Sequence, residues 1–250
     1  MAELRAKPHG VDARDVDVLL ADALGRSVAW LFAHGDAEVD DDIIDEQLRR
    51  RRAGEPLQYI RGRCDFYGRE FLVDDRVLIP RPETEILVEQ AIARVPHGAR
   101  VVDVGTGSGC IAVTLALERL DLRVVAVDVS VAALAVAKRN RDRLGARVDL
   151  AASDLLAAVK SVDFIVSNPP YIPADDIETL QIEVRDHEPR TALTPGPRGT
   201  EVIERLLASG IPCILEVGYG QAAQLHVDEV VPDLAGIPRV VVSSARHGRK

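Results

Sequence analysis

The chain has 250 residues, 47% hydrophobic and 28% charged, with a formal net charge of −9. That length and composition allow a sizeable core in one or two domains and exclude a collagen-like or disordered chain. No apolar run approaches the roughly 18–20 residues of a bilayer span, and an acidic balance is a poor one for a general nucleic-acid binder, whose phosphate contacts need clustered cations.

Residues 1–5 lack the charged lead and apolar core of a secretory signal. The three cysteines, Cys64, Cys110 and Cys213, lie far apart with no Cys-x-x-Cys pair. Their odd, scattered placement argues for reduced thiols in a cytoplasmic protein and against a disulfide framework or zinc site, and the six scattered histidines form no His-x-x-x-His pair for a metal.

Residues 1–56 read as short helices. Val16, Leu19, Leu20, Ala23 and Leu24 recur at helical spacing. Ser27 is placed to cap a turn carrying Trp30, Leu31 and Phe32. Asp41 or Asp42 opens a third helix with Ile43, Ile44 and Leu48 on one face. Arginines 49–52 then stand at its negative end, ahead of Gly54. This run reads either as a solvated helix end or as a nucleic-acid patch.

Residues 57–74 alternate, with Tyr59, Cys64, Phe66, Tyr67, Phe71, Leu72 and Val73 among polar residues, and predict a β-hairpin with turns near Gly62 and Gly68. The stiff segment 80–85 (Pro-Arg-Pro-Glu-Thr-Glu) leads into a helix carrying Ile86, Leu87, Val88, Ala91 and Ile92. From residue 99 strands alternate with helices. Strands are predicted over 100–104, 123–127, 148–151, 162–167, 212–217 and 239–244, and helices over 108–120, 131–144 and 200–208. Such alternation predicts an α/β domain with a mostly parallel, doubly wound sheet. Ligands of such sheets bind beyond the carboxyl ends of the strands.

Two motifs lie at such ends. The first is Asp103-Val104-Gly105-Thr106-Gly107-Ser108-Gly109, a strand, a glycine turn and a helix start. Its spacing is not that of a dinucleotide or P-loop site, and it carries no cation for a pyrophosphate. Asp128 ends the next strand, where a carboxylate can accept ribose hydroxyls. Ser153, Asp154 and Leu155 end the third, where an adenine can lie. A ligand with ribose and base but no phosphate, such as S-adenosylmethionine, fits this set.

The second motif is Ser167-Asn168-Pro169-Pro170-Tyr171, after an apolar strand. Prolines hold the chain extended and donate no backbone hydrogen bonds. The corner therefore offers acceptors, and an NH2 group conjugated to a ring or a carbonyl has two protons to give them. Tyr171 is placed to stack on that planar group. The implied chemistry is in-line transfer of a methyl from a sulfonium to an sp2 nitrogen, driven mainly by positioning.

These motifs together resemble the Rossmann-like class I methyltransferases that act on planar amino groups. Gly54-Glu55-Pro56-Leu57-Gln58-Tyr59-Ile60, Phe66-Tyr67-Gly68, residues 77–85 (Val-Leu-Ile-Pro-Arg-Pro-Glu-Thr-Glu) and Leu215-Glu216-Val217-Gly218 resemble the release-factor glutamine methyltransferases in particular. That resemblance spans roughly residues 13–244. It implies methylation of the glutamine in the Gly-Gly-Gln loop of bacterial peptide-chain release factors, from S-adenosylmethionine with S-adenosylhomocysteine as product. Gly105, Thr106, Gly107, Ser108 and Gly109 would hug the methionine part of the cofactor, Asp128 the ribose and Leu155 the adenine. Asn168, Pro169, Pro170 and Tyr171 would hold the glutamine, with Asn168 beside the cofactor as well and Asn168, Pro169 and Tyr171 as the catalytic set. Residues 79–85 would close over the cofactor. The expected organisation is a helical docking domain over 1–56, a hairpin and linker over 57–82 and the methyltransferase domain over 83–250. Two readings compete: an adenine-amine methyltransferase acting on DNA or RNA, and a catalytically dead cofactor-binding module.

Overall fold

The computed structural model describes residues 10–39 and 41–244, and the stretch read for a signal lies outside them. Helix α1 (Ala13–Leu24) is capped by Asp12, whose carboxylate accepts the Arg14 amide at 2.8 Å, and stops at Gly25 with φ +61°. Helix α2 (Val28–Ala33) starts at Ser27, whose hydroxyl accepts the Trp30 amide at 3.2 Å, as expected. Helix α3 (Asp41–Arg52) follows. Leu19, Leu20, Leu31, Ile44 and Leu48 form the shared core of the three. The arginine run is matched by carboxylates. Arg49 pairs with Glu46, Arg50 with Glu55, and Arg51 with both Asp15 at 2.7 Å and Glu183 at 3.2 Å. Those three cations are engaged within the chain rather than arrayed for phosphates.

The stretch read as one hairpin over 57–74 divides in two. Residues Leu57–Arg61 form helix α4, entered from Pro56 and closed by Gly62 in the left-handed region. The short run Leu57, Tyr59, Ile60 satisfies either period, and Pro56 before it favours a helix start. The hairpin proper is β1 (Arg63–Phe66) and β2 (Arg69–Leu72), antiparallel with Phe66 opposite Arg69. Its two loop residues, Tyr67 and Gly68, both have positive φ, +50° and +69°, the combination that suits a strand-matched tight turn. Phe66 and Phe71 pack edge to face, 6.0 Å apart, within the core under the main sheet. Buried Asn140 also stitches the hairpin down, exchanging two bonds with the Leu72 backbone and donating to the Ser108 carbonyl.

Helix α5 (Thr84–Arg94) leads into the sheet. The chain continues β3 (Arg100–Val104), α6 (Cys110–Glu118), β4 (Arg123–Asp128), α7 (Val131–Leu144), β5 (Val148–Ala152) and β6 (Phe164–Ser167). After short helices α8 (Ile182–His187) and α9 (Arg190–Leu193) come α10 (Glu201–Ala208), β7 (Cys213–Glu216), β8 (Glu229–Pro232) and β9 (Pro238–Ser243). The sheet order is β5-β4-β3-β6-β7-β9-β8. Strands β3 to β7 are parallel, and β9 and β8 close the edge antiparallel. Strand β8 was not anticipated: its residues are exposed or half-buried and it ends in proline, so it carries no buried alternation.

Side chains alternate between two cores. Val101 joins Leu87, Ala112 and Leu115 on one face, while Val102 and Val104 join Ile165, Ile203 and Leu215 on the other. From β3 the chain winds outward to β4 and β5, then returns past β3 to β6 and β7. The reversal falls between β3 and β6, where a doubly wound sheet opens a crevice.

Candidate functional site

The crevice between the ends of β3 and β6 is a cleft of about 340 Å³, within the range of small-ligand sites. Its two corners are pinned together by the Ser167 hydroxyl, which donates to the Val104 carbonyl at 2.6 Å.

The first corner is the glycine turn. Gly105, Gly107 and Gly109 take φ of +71°, +54° and +82°, values that cost a side-chain-bearing residue about 1–2 kcal/mol. The amides of Gly105 and Thr106 both donate to the Val127 carbonyl, and the Gly107 amide donates to Asp128 Oδ2 at 2.9 Å. Underneath, fully buried Asp103 accepts the Thr106 hydroxyl at 2.6 Å and the Ala112 amide at 3.2 Å. Burial pushes its carboxyl up to about 7 against the pull of those two bonds. Gly105, Thr106, Gly107 and Ser108 line the cleft, and a Cβ at Gly105 or Gly107 would meet no protein atom within 4 Å. Gly109 sits apart from the other four. It does not line the cleft, and a Cβ there would sit 3.2 Å from that of Ala137, so its bareness serves the packing of α6 on α7.

Asp128 and Leu155 line the cleft beyond the turn, with Ser153 and Asp154. Asp128 Oδ1 accepts the Ser130 amide at 2.9 Å, so both carboxylate oxygens are oriented by backbone and retain lone pairs for hydroxyls. Leu155 holds its side chain at the cleft wall from a strained φ of +48°.

The second corner follows β6. Asn168, Pro169 and Pro170 line the cleft. Among the described residues, no backbone amide outside the strand ladders donates to their carbonyls. Tyr171 follows the corner and sits behind it. It is not among the cleft-lining residues. Its ring lies against Gly218, where an added Cβ would come within 3.0 Å of Cδ2, and its hydroxyl donates to Glu216 Oε1 at 3.4 Å. The end of β7 thus holds both the ring and the hydroxyl.

Three groups at this corner were missed. Thr84, the first residue of α5, lines the cleft, accepts the Asn168 side-chain NH2 at 3.1 Å and donates to Glu216 Oε2 at 2.7 Å. Glu216 ends β7 and is 1% exposed; burial pushes its carboxyl up to about 7 against the Thr84 hydroxyl bond and the nearby Arg239. Arg81, on the expected lid segment, bonds both oxygens of buried Glu188 at 2.7 Å. In the sequence Glu216 closes an apolar strand and belongs to the Leu215–Gly218 segment that carries the family resemblance, but neither signal gives it a role. Among the described residues no cluster of three or more His, Cys, Asp or Glu could hold a metal, and no helix is long and apolar enough to cross a membrane.

Comparison with known proteins fits both halves of the chain. Residues 82–205 match the Methyltransferase small domain and residues 1–62 the PrmC N-terminal domain. A release factor glutamine methyltransferase of Koribacter versatilis is 45% identical, with 90% of this chain and 89% of that protein covered. Its Bordetella pertussis counterpart is 42% identical over 96% and 97%. Among solved structures, the catalytic domain of human Mettl16 in complex with a MAT2A hairpin superposes with a TM-score of 0.53 at 17% identity, over 82% of this chain and 80% of that one, a likeness of fold.

Proposed function

The chain belongs to the release factor glutamine methyltransferase family, and from that premise we propose that it transfers a methyl group from S-adenosylmethionine to the side-chain amide nitrogen of the glutamine in a release factor's Gly-Gly-Gln loop. The observation that carries this reading is the pairing of an acceptor corner at Asn168–Pro170 with an open glycine turn in one cleft.

The residues present fit that cofactor. The bare turn at Gly105 and Gly107 leaves room for the methionine part, with Thr106 and Ser108 beside it. Asp128 takes the ribose hydroxyls on lone pairs its two amide bonds leave free, and Leu155 offers an apolar wall to the adenine. When bound, the cofactor supplies an activated methyl on a positively charged sulfur. The protein's part is to aim the acceptor nitrogen. The Asn168 side-chain oxygen and the Pro169 and Pro170 carbonyls take the two amide protons, which turns the nitrogen lone pair toward the methyl and favours positive charge as it develops there. Tyr171 serves from behind the corner, through Glu216. Residues 1–56 form the docking domain for the protein substrate, 57–82 the bridge and 83–250 the methyltransferase domain. The setting is cytoplasmic, and nucleic acid is not the substrate.

Labelled S-adenosylmethionine offered with release factor, DNA or RNA tests this. Label on the release-factor glutamine is the expected result. Label on an adenine amine would replace the reading with the nucleic-acid one, and bound cofactor without any transfer would leave a binding module.

A further inference from the structure

The acceptor corner works only if Asn168 turns its oxygen, and not its NH2, toward the cleft. An asparagine amide is nearly symmetric in shape, and its two orientations differ by a half-turn about one bond. Something must choose between them.

We propose that Glu216 and Thr84 are positioning residues that set this choice, by a one-way relay of hydrogen bonds ending on Asn168. With Glu216 ionised, as above its raised value of about 7, the relay runs in only one direction. An ionised carboxylate has no hydrogen to give, so Glu216 Oε2 must accept, and the Thr84 hydroxyl must donate to it at 2.7 Å. That uses Thr84's single hydrogen. Thr84 Oγ1 is left as an acceptor, and only the NH2 side of Asn168 satisfies it, at 3.1 Å. The Asn168 oxygen then faces the other way. Both inner members are enclosed, Glu216 at 1% and Thr84 at 2% exposure, so water does not compete for the bonds. The Tyr171 hydroxyl donates to the remaining Glu216 oxygen, which holds the carboxylate from its far side. The relay joins three chain segments: the start of α5, the corner after β6 and the end of β7. Its charge lies behind the acceptors, where it also favours the positive charge that builds on a nitrogen during methyl transfer.

The inference rests on the methyl-transfer reading above, and the experiment separates the two. Wild type, Thr84→Ser, Thr84→Val and Glu216→Gln are assayed at pH 8 with labelled S-adenosylmethionine and release factor. Melting curves and cofactor affinity are measured for each. Thr84→Val keeps the shape and removes the hydroxyl. Its kcat is expected to fall about 10- to 100-fold, the range for losing an outer partner that orients a reacting group, with cofactor affinity and the KM for release factor little changed. Thr84→Ser restores the hydroxyl and is expected to stay within about threefold of wild type. In Glu216→Gln the amide can donate as well as accept, so the direction is lost. Its kcat is expected to fall about tenfold, and it serves alone if Thr84→Val does not fold.

A double-mutant cycle gives the readout a merely structural role would not move. In an Asn168→Ala background Thr84→Val is expected to cost less than about threefold, because its effect passes through Asn168. Equal losses in both backgrounds would overturn the relay, as would full kcat in Thr84→Val or in Glu216→Gln. If wild type itself leaves release factor unlabelled, the reaction assigned to the site is what fails.

Discussion

The two corners of the cleft are made by opposite means. At the end of β3, glycines in the left-handed region pack the chain into a tight turn whose amides point inward to Val127 and Asp128. At the end of β6, prolines stretch the chain and remove amides, leaving oxygens. One corner makes room; the other makes a directed surface. Yet both rest on the same kind of foundation. Each has a buried carboxylate bound by a threonine hydroxyl, Asp103 by Thr106 at 2.6 Å and Glu216 by Thr84 at 2.7 Å. Loop geometry sets what a corner can touch, while a buried charge sets which way its polar groups turn.

Breaking the second corner should give the largest effect. Asn168→Ala is expected to lower kcat about 10²–10³-fold, as loss of one preorganised polar contact does, with cofactor affinity by calorimetry near that of wild type. A collapse of cofactor affinity with turnover preserved at saturation would assign Asn168 to the first corner instead.

The shared foundation predicts a pH dependence of stability. Asp103 and Glu216 both have carboxyls raised to about 7 from ordinary values of 3.8 and 4.5. The folded state therefore binds their protons more tightly than the unfolded chain. Their stabilising contribution is complete below the ordinary values and is lost as pH rises to about 7. Each such loss is on the order of a few kcal/mol. Thermal melts should show the melting temperature falling between pH 5 and 7.5, and Glu216→Gln should flatten that fall. Asp74, held low by its hydrogen bonds from Arg76, acts only at more acid pH.

Asp128→Ala tests the first corner. It removes a carboxylate that both orients Gly107 and faces the cleft, and should weaken cofactor binding about 10- to 100-fold, as for a charged hydrogen-bonding partner. Unchanged affinity would remove Asp128 from the ribose site. The smallest effect is the sharpest test within the glycine turn. Gly109→Ala should destabilise the fold by about 1–2 kcal/mol through its left-handed φ and its contact with Ala137, while cofactor affinity stays close to wild type.

Much of this was legible from sequence because it is local. The strand ends carrying Asp103–Gly109, Asp128 and Asn168–Tyr171 announce themselves as contiguous motifs, and the alternation of apolar strands with helices gives the parallel sheet. What stayed hidden depends on distant pieces meeting. Thr84 and Glu216 are 132 residues apart, and no spacing rule joins them. Gly109 looks like its neighbours until Ala137 of α7 is placed against it. The contacts of Tyr171 with Gly218 and Glu216 likewise join residues some 45 positions apart. Helix α4 was misread for a different reason: five residues are too few for its period to differ clearly from that of a strand.

A pocket wall made of oxygen lone pairs also passes judgement on the age of its substrate. Hydrolysis of a glutamine side chain, a slow chemical lesion, leaves an acid of the same length with no hydrogens to present and a negative charge to lodge beside Asn168, with Glu216 behind it. On the reading proposed above, such a residue would be turned away on both counts, and the proline-built corner would sort intact polypeptide from damaged without any element dedicated to the task.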